Sequence, residues 1–414
     1  MRTGGAPDVG IGADLFFGGG TYDHDRVAAG VRVGDQTHRV AEPIRLPPGL
    51  RAAAFPEPSV GGEPLLHPDG LWLGTALSSF GIVANRDLLV MLNVPAPTDW
   101  SDLTDPAWSG WLAAADPAHS GSIAAAFNAV LRRRGWTEGW GVLRRVFANA
   151  RSFSGSASRV PTDVAVGEAA AGLCIDFYGR MQAQAVAADG WSGDPPGMPR
   201  TSRLTYADPA RDGRSQTATT ADPITLLRGA PRRDLAEAFV AWLLSPAGQR
   251  LWQLRPGVPG GPVFEALRRQ PVRRDVYADR THWTDPDAEP FATATPLPPG
   301  TPDFFAAVAP VSHALAIDVH DELRAAWASL RAMPPDHPHR AAALAAFDAL
   351  PADLTAAPTP SGPDAGSLLA AWARRTPDDR LRDRQRWTAF FRDRYAEVVR
   401  LARAPAVPAA RRAP

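Results

Sequence analysis

The sequence predicts an α/β fold in more than one domain, and three observations carry that expectation. Short β-rich apolar runs alternate with helical patterns along most of the chain. The length of 414 residues exceeds the roughly 100–200 residues of an ordinary domain, so it calls for two or three domains or one large two-lobed body. Apolar residues make up 45% of the chain, enough to fill a sizeable core.

The elements follow in order. Residues 9–17 (VGIGADLFF) read as a buried strand that runs into Gly18, Gly19 and Gly20. Residues 23–30 read as a short helix closed by Gly30. Residues 34–70, rich in proline and glycine, read as loop with short pieces of structure. Residues 71–84 (LWLGTALSSFGIVA) form a strand that is long for a single one. Turn signals and Trp100, Trp108 and Trp111 fill 95–116. Ser120 caps a helix over 120–131; further helices cover 138–148 and 160–171. The apolar strand 171–177 (AGLCIDF) delivers Asp176, Phe177 and Tyr178 at its carboxyl end. A Pro/Gly/Asp-rich connection spans 189–200. A strand over 223–227 precedes a helix over 234–244 and a second helical turn after Ser245-Pro246. Residues 255–305 are loop-rich and 306–333 helical. A linker at 351–366 leads to a charged, arginine-rich helical stretch over 368–404.

Composition excludes several chemistries. Forty-four basic residues balance 44 acidic ones, which argues against a bulk nucleic-acid binder, because such proteins need net positive charge. None of the basic residues is lysine. That removes a Walker A lysine, a Schiff base, a Ser-x-x-Lys nucleophile and a kinase-type lysine. The single cysteine, Cys174, excludes an intramolecular disulfide, a CxxC pair and any multi-cysteine metal site. No apolar run reaches the ~20 residues of a membrane span. The opening Met1-Arg2-Thr3-Gly4-Gly5 has no apolar stretch of a signal peptide. There is no HExxH, no GxSxG elbow and no Ser/His/Asp signature, so catalysis has little support.

Four constellations could carry chemistry. Asp116 to Ser122 precedes a helix, where free N–H groups and hydroxyls suit an anion; an ordinary N-cap fits the same residues. Gly18-Gly19-Gly20-Thr21 lets backbone approach a ligand, but its spacing is not GxGxxG, and a tight strand-to-helix turn fits equally. Asp176-Phe177-Tyr178 lies at a strand's carboxyl end, where open α/β sheets bind ligands; Tyr178 could ligate a metal or pack at the sheet edge. Ser78-Ser79-Phe80-Gly81 puts small hydroxyl residues inside an apolar strand, which suits a cleft or a close packing contact. The arginine-rich tail reads as a partner contact or as a solvated helix face.

Taken in order and spacing, these segments resemble the extracytoplasmic solute-binding proteins of ABC importers, in the branch of ferric-ion and phosphonate binders. The pieces that carry the resemblance are Asp14 to Asp23, Ser78 to Asp87, Trp100 to Leu103, Asp116 to Ser122, Gly172 to Gly179, Leu227 to Pro231 and Ser245 to Gln249. The resemblance implies a two-lobed periplasmic-binding-protein type II fold, with discontinuous lobes joined by hinge strands and ligand in the cleft between them. Lobe 1 would be 1–81 and 219–335, lobe 2 would be 82–218, and 336–414 a linker with a C-terminal helical extension.

It further implies a non-enzymatic protein that captures a small anion or metal–anion complex and delivers it to a membrane permease. Gly20, Thr21, Ser78 and Ser79 would bind from lobe 1, and Ser120, Gly121, Ser122, Ser156, Asp176 and Tyr178 from lobe 2. In ferric binders two adjacent tyrosines hold the iron. Here Phe177 replaces the first, so only Tyr178 is left as a metal ligand and a ferric ion is open only as carried solute; no cofactor is expected. The protein would be a periplasmic or extracytoplasmic monomer that binds no nucleic acid. Its chain would lack the family's signal peptide and first strand. Two rivals stay open: an enzyme on the same fold using Asp176 as base, and a non-functional truncated fragment.

Overall fold

The computed structural model describes residues 10–188, 202–355 and 375–405. The chain divides into two compact α/β units. Unit 1 comprises Met1–Gly81, Ile175–Ser202 and Tyr206–Leu297; unit 2 comprises Ile82–Cys174, Arg203–Thr205 and Pro298–Pro414.

The main strand of unit 1 belongs to Leu73–Asn85, thirteen residues buried everywhere except at Ser79. A strand buried on both faces needs partners for its backbone groups along its length. Thr219–Leu227 supplies them in antiparallel register, Thr219 opposite Ser79 and Ile224 opposite Leu73. Gln270–Pro271 pairs with the same strand, Gln270 opposite Leu77. Leu15–Phe17 and Ala41–Glu42 add to Thr219–Leu227. The register slips between Asp222 and Pro223, as expected where a proline cannot donate to the ladder. The core beneath contains Leu73, Leu77, Ala221, Ile224, Val240, Leu244 and Val272. Helix Arg233–Leu243 joins it through Val240, and its buried Ala236, Val240 and Leu243 are spaced four and three apart on one face. Buried Gln249 staples the layers together. Its amide nitrogen donates to Thr75 O at 2.7 Å and Leu243 O at 2.9 Å, and its oxygen accepts from Val272 N at 2.8 Å.

Unit 2 is built on parallel strands. Leu112–Ala115 lies beside Ala150–Ser154 on one side and Ala171–Ile175 on the other. Parallel neighbours require crossover connections, and helices Gly121–Arg134, Trp136–Asn149 and Arg159–Ala165 fall within them. Helices Phe305–Leu315, His320–Ala332 and Arg340–Asp348 pack with the 27-residue helix Pro377–Arg403. That last helix is marked by its sequence. Thr376 caps it by accepting from Asp379 N at 3.2 Å, and Pro377 fills the first turn. Acidic Asp378 and Asp379 open it and Arg400 and Arg403 close it, matching the macrodipole. Its buried Trp387, Phe391, Tyr395 and Val398 form one stripe at helical spacing.

Under this stripe lies Arg144, 1% exposed. It donates to Ala349 O at 3.0 Å and stands over the rings of Phe391 (5.3 Å) and Phe347 (5.8 Å). Burial holds its pKa below the usual arginine value. Tyr395 donates its hydroxyl to Leu315 O at 2.7 Å, which satisfies the phenol inside the core.

Several elements differ from the sequence expectations. The first strand is only Leu15–Phe17 and is partly exposed, because two glycines in 10–12 interrupt the apolar run; residue 9 lies outside the described residues. The helix expected over 160–171 stops at Ala165, since Gly167 takes φ +84° and ends it. Asp176 begins helix Asp176–Ala188 instead of extending the strand. The strand expected at 223–227 starts earlier, at Thr219. The connection at 189–200 lies outside the described residues, as do 356–366 of the linker and 368–374 of the tail; Ala352–Thr355 is helical.

Two substitutions test this packing by urea unfolding. Phe391→Ala is expected to cost about 3–5 kcal/mol, as for other buried aromatic truncations. Arg144→Met should leave stability unchanged or raise it, because it removes a buried charge that has two nitrogens without partners among the described residues. A large loss at Arg144→Met would show that the guanidinium itself holds the stripe.

Candidate functional site

Unit 1 contains a cavity of about 390 Å³. Its wall includes Ser78, Ser79, Asp176, Arg180, Asp208 and Gln270, with further hydroxyls from Ser215, Thr217, Thr219, Thr293 and Thr295. The strand Leu73–Asn85 supplies Ser79 at its one break in burial. Gly81, two residues on, has no room for a side chain: a Cβ there would fall on Ala207 O and the Tyr206 ring. The adjoining segment therefore packs directly against this strand, and it brings Asp208 to the cavity.

Asp208 gathers donors. It accepts from Ser79 Oγ at 2.6 Å and Tyr206 OH at 2.8 Å, and Arg180 lies 3.8 Å away. Arg180 also stands 4.0 Å from Asp285, over the Tyr206 ring at 5.1 Å. Burial disfavours its charge, but Asp176 and Asp208 more than offset this and hold its pKa above the usual value. A second chain of charges lies alongside. Arg269 pairs with Asp222, donates to Ser78 Oγ at 3.0 Å, and stacks its guanidinium 3.8 Å over the Phe177 ring. Asp222 sits at the register slip, where a bulge re-aims a side chain. Ser78 Oγ donates to its carboxylate at 3.1 Å.

Asp176 is the most perturbed group on this wall. Its carboxyl is 1% exposed and accepts from Phe177 N at 2.8 Å. Burial pushes it up to about 8; Arg180 pulls it down and Asp208 pushes it up. At neutral pH it is therefore mostly a neutral carboxylic acid, able to donate through its O–H.

Three of the residues expected from the sequence, Ser78, Ser79 and Asp176, meet at this cavity. Gly20 and Thr21 do not line it. They start helix Thr21–Ala29, after Gly18 and Gly19 with φ +84° each. Buried His24 fixes that turn, bonding Gly18 O at 2.9 Å and Thr225 Oγ1 at 2.7 Å. Tyr178 is also absent from the cavity wall; its ring tilts against Phe177, centroids 4.3 Å apart.

The remaining expected residues belong to unit 2. Ser120 caps helix Gly121–Arg134, accepting from Ile123 N at 3.3 Å, and its Oγ lies 3.1 Å from Ser122 Oγ. Asp116 shapes the turn before it, accepting from Ala118 N at 2.7 Å, with His313 Nε2 3.1 Å away. Ser156 is exposed, its Oγ 2.9 Å from Ser158 Oγ. Among the described residues, no three His, Cys, Asp or Glu side chains are grouped to hold a metal ion.

Arg180, Asp208, Asp222, Arg269 and Gln270 went unmarked in the sequence. Arg180 follows Asp176 by four residues, one helical turn, which is a legible pairing. Asp222-Pro223 inside an apolar run signals a bulge. Asp208 and Gln270 carry no comparable local mark.

A two-unit α/β chain with a hydroxyl- and charge-lined cavity has the character of a binder of small polar solutes. The chain belongs to the family of bacterial extracellular solute-binding proteins, whose model matches residues 55–285. The curated relative PgtC of Salmonella typhimurium, a phosphoglycerate transport regulatory protein, is 28% identical over 179 residues. These are 43% of this chain and 40% of PgtC, so the chain spans less than half the length of that relative. Among solved structures, the periplasmic binding protein AfuA from Actinobacillus pleuropneumoniae, with fructose-6-phosphate bound, has a TM-score of 0.50 at 18% identity, covering 76% of this chain and 81% of AfuA. Iron-bound HitA from Pseudomonas aeruginosa gives 0.49 at 20% identity, over 69% and 76% of the two chains. The family match and the AfuA likeness give the fold of the two-lobed periplasmic binding proteins, and the family is one of binding proteins, not enzymes. No described helix is long and apolar enough to cross a membrane.

The Asp176 pKa gives a signed expectation. A carboxyl raised from 3.8 to about 8 on folding contributes stability that is full below the unfolded value and is lost as pH rises through the folded one. The slope from one such group is at most about 1.4 kcal/mol per pH unit. Asp176→Asn keeps the acceptor for Phe177 N and cannot ionise. Its melting temperature should match wild type below about pH 4, exceed it increasingly from pH 4 to 8, and hold a constant excess above that. Parallel curves for the two proteins would show that Asp176 does not carry this charge cost.

Proposed function

We propose that this chain is the extracytoplasmic receptor of an ABC-type importer, which captures a small polar organic solute and hands it to a membrane permease. The observation that carries this reading is the unit 1 cavity, walled by residues 78–295 of a chain whose solute-binding match covers 55–285. Ser78, Ser79 and Asp176 would face the solute with Arg180 and Asp208. In unit 2 the serine-capped start of helix Gly121–Arg134 is the element suited to hold an anionic group. Gly20, Thr21, Ser156 and Tyr178 are lesser members of the proposed set. The two units would serve as the lobes of a monomer, without enzymatic activity; Asp176 acquires its high pKa from burial, and among the described residues no histidine lines the cavity to activate one of its hydroxyls.

The donor set favours an organic solute over a ferric ion. A hard ferric ion wants several anionic oxygens. Next to Tyr178 the chain offers a phenyl ring, and that ring is covered by the Arg269 guanidinium, whose charge repels a cation. Phosphate esters are the first class to test, because PgtC is named for phosphoglycerate transport.

Thermal unfolding against 3-phosphoglycerate, hexose phosphates, inorganic phosphate, small carboxylates and ferric citrate checks the reading. A ligand at 100 times its Kd adds about 2.7 kcal/mol. Saturable stabilisation by one class, lost in Ser79→Ala/Asp208→Asn, is the expected result. A panel that leaves the melting temperature unmoved would count against solute capture of these classes.

A further inference from the structure

Gln270 is a buried polar side chain without a partner among the described residues. It lines the unit 1 cavity at 4% exposure. Neither its amide nitrogen nor its amide oxygen has a hydrogen-bond partner among the described residues. Its backbone is fixed by the pairing opposite Leu77 in the main strand. The contrast with Gln249 is instructive: there an equally buried amide bonds at both ends and staples the core. Leaving a donor and an acceptor unmet is costly, so a group that meets both is expected beside them.

The neighbours narrow what that group is. Arg180 Nε is likewise buried and has no partner among the described residues, and Arg180 lies on the same wall. The wall also holds Asp208, Asp287 and Glu289 carboxylates and several hydroxyls. Such a surface repels a bare multivalent anion, and Arg180 opposes a polycation. A hydroxyl fits, because it donates to a carboxylate or to the Gln270 oxygen while accepting from the amide nitrogen or from Arg180. The high pKa of Asp176 supports this by adding an O–H donor to the same wall.

We propose that Gln270 is a specificity-determining residue of the unit 1 cavity, reading hydroxyl groups of a polyhydroxylated solute through both ends of its amide. This rests on the solute-binding reading and names the part of the solute that unit 1 recognises. Sites built to hydrogen-bond a substrate hydroxyl discriminate strongly against analogues that lack it, because the polar groups are then left unmet.

Matched pairs of ligands test it on the full chain. Glycerol 3-phosphate is compared with n-propyl phosphate, and 3-phosphoglycerate with 3-phosphopropionate, by calorimetry. D-fructose, D-glucose, inorganic phosphate and ferric citrate complete the set. Wild type should bind at least one hydroxylated member about tenfold or more tightly than its deoxy partner. Gln270→Leu, of similar volume and with no polar atoms, should fold and melt at or above the wild-type temperature without ligand, and should lose that preference. Gln270→Glu keeps the acceptor only and should retain part of it. Equal affinity for the members of each pair, or a preference that survives in Gln270→Leu, overturns the proposal. So does binding of phosphate or ferric citrate alone, which would leave the solute-binding reading standing. Failure of every compound to bind overturns both.

Discussion

The demand of a thirteen-residue buried strand for backbone partners governs the structure around it. Leu73–Asn85 has polar N–H and C=O groups throughout and almost no contact with water, so each stretch must be paired by another element. In unit 1 those partners come from Thr219–Leu227 and Gln270–Pro271, well over a hundred residues away in the chain. Ser78 and Ser79 are held at one end of this arrangement, Asp222 is turned towards them by the slip at Pro223, and Gln270 arrives with its own pairing. The site is thus a by-product of how one strand satisfies its backbone.

The second constraint is charge in a chain without lysine. Arginine must serve wherever a buried carboxylate needs a counter-ion, and its planar, multi-donor head allows one residue to bridge several acceptors. Around the cavity this gives linked pairs: Arg180 with Asp208 and Asp285, Arg268 with Asp285, and Arg269 with Asp222 and Ser78. Asp176 is left near this network without a close ion pair among the described residues, and burial pushes its pKa up to about 8. The same cavity wall therefore offers both donors and acceptors.

The C-terminal helices of unit 2, from Phe305 to Arg403, lie outside the family match of residues 55–285. The closing helix is held by an aromatic stripe over Arg144 and by Tyr395 bonded to Leu315 O. This is core construction of an ordinary kind, and the arginines of that helix find acidic partners such as Glu322, Asp353 and Asp383.

Local signals in the sequence determined a good deal. Hydrophobic periodicity marked the long strand, the helices after Ser120 and Asp234 and the tail helix, because those patterns repeat within one element. Glycine runs and caps placed most boundaries; the error at 160–171 came from reading past Gly167. The order of short motifs pointed to the solute-binding family, and Ser78, Ser79 and Asp176 were marked as candidates. What only the tertiary structure decided was which polar groups meet. Ser79 reaches Asp208 across 129 residues and Arg269 reaches Ser78 across 191, and no local pattern records such separations. Gln270 shows the limit most plainly. The same residue type at 249 is a satisfied staple and at 270 a pair of groups unmet among the described residues, and the difference is made by what the fold places around each amide.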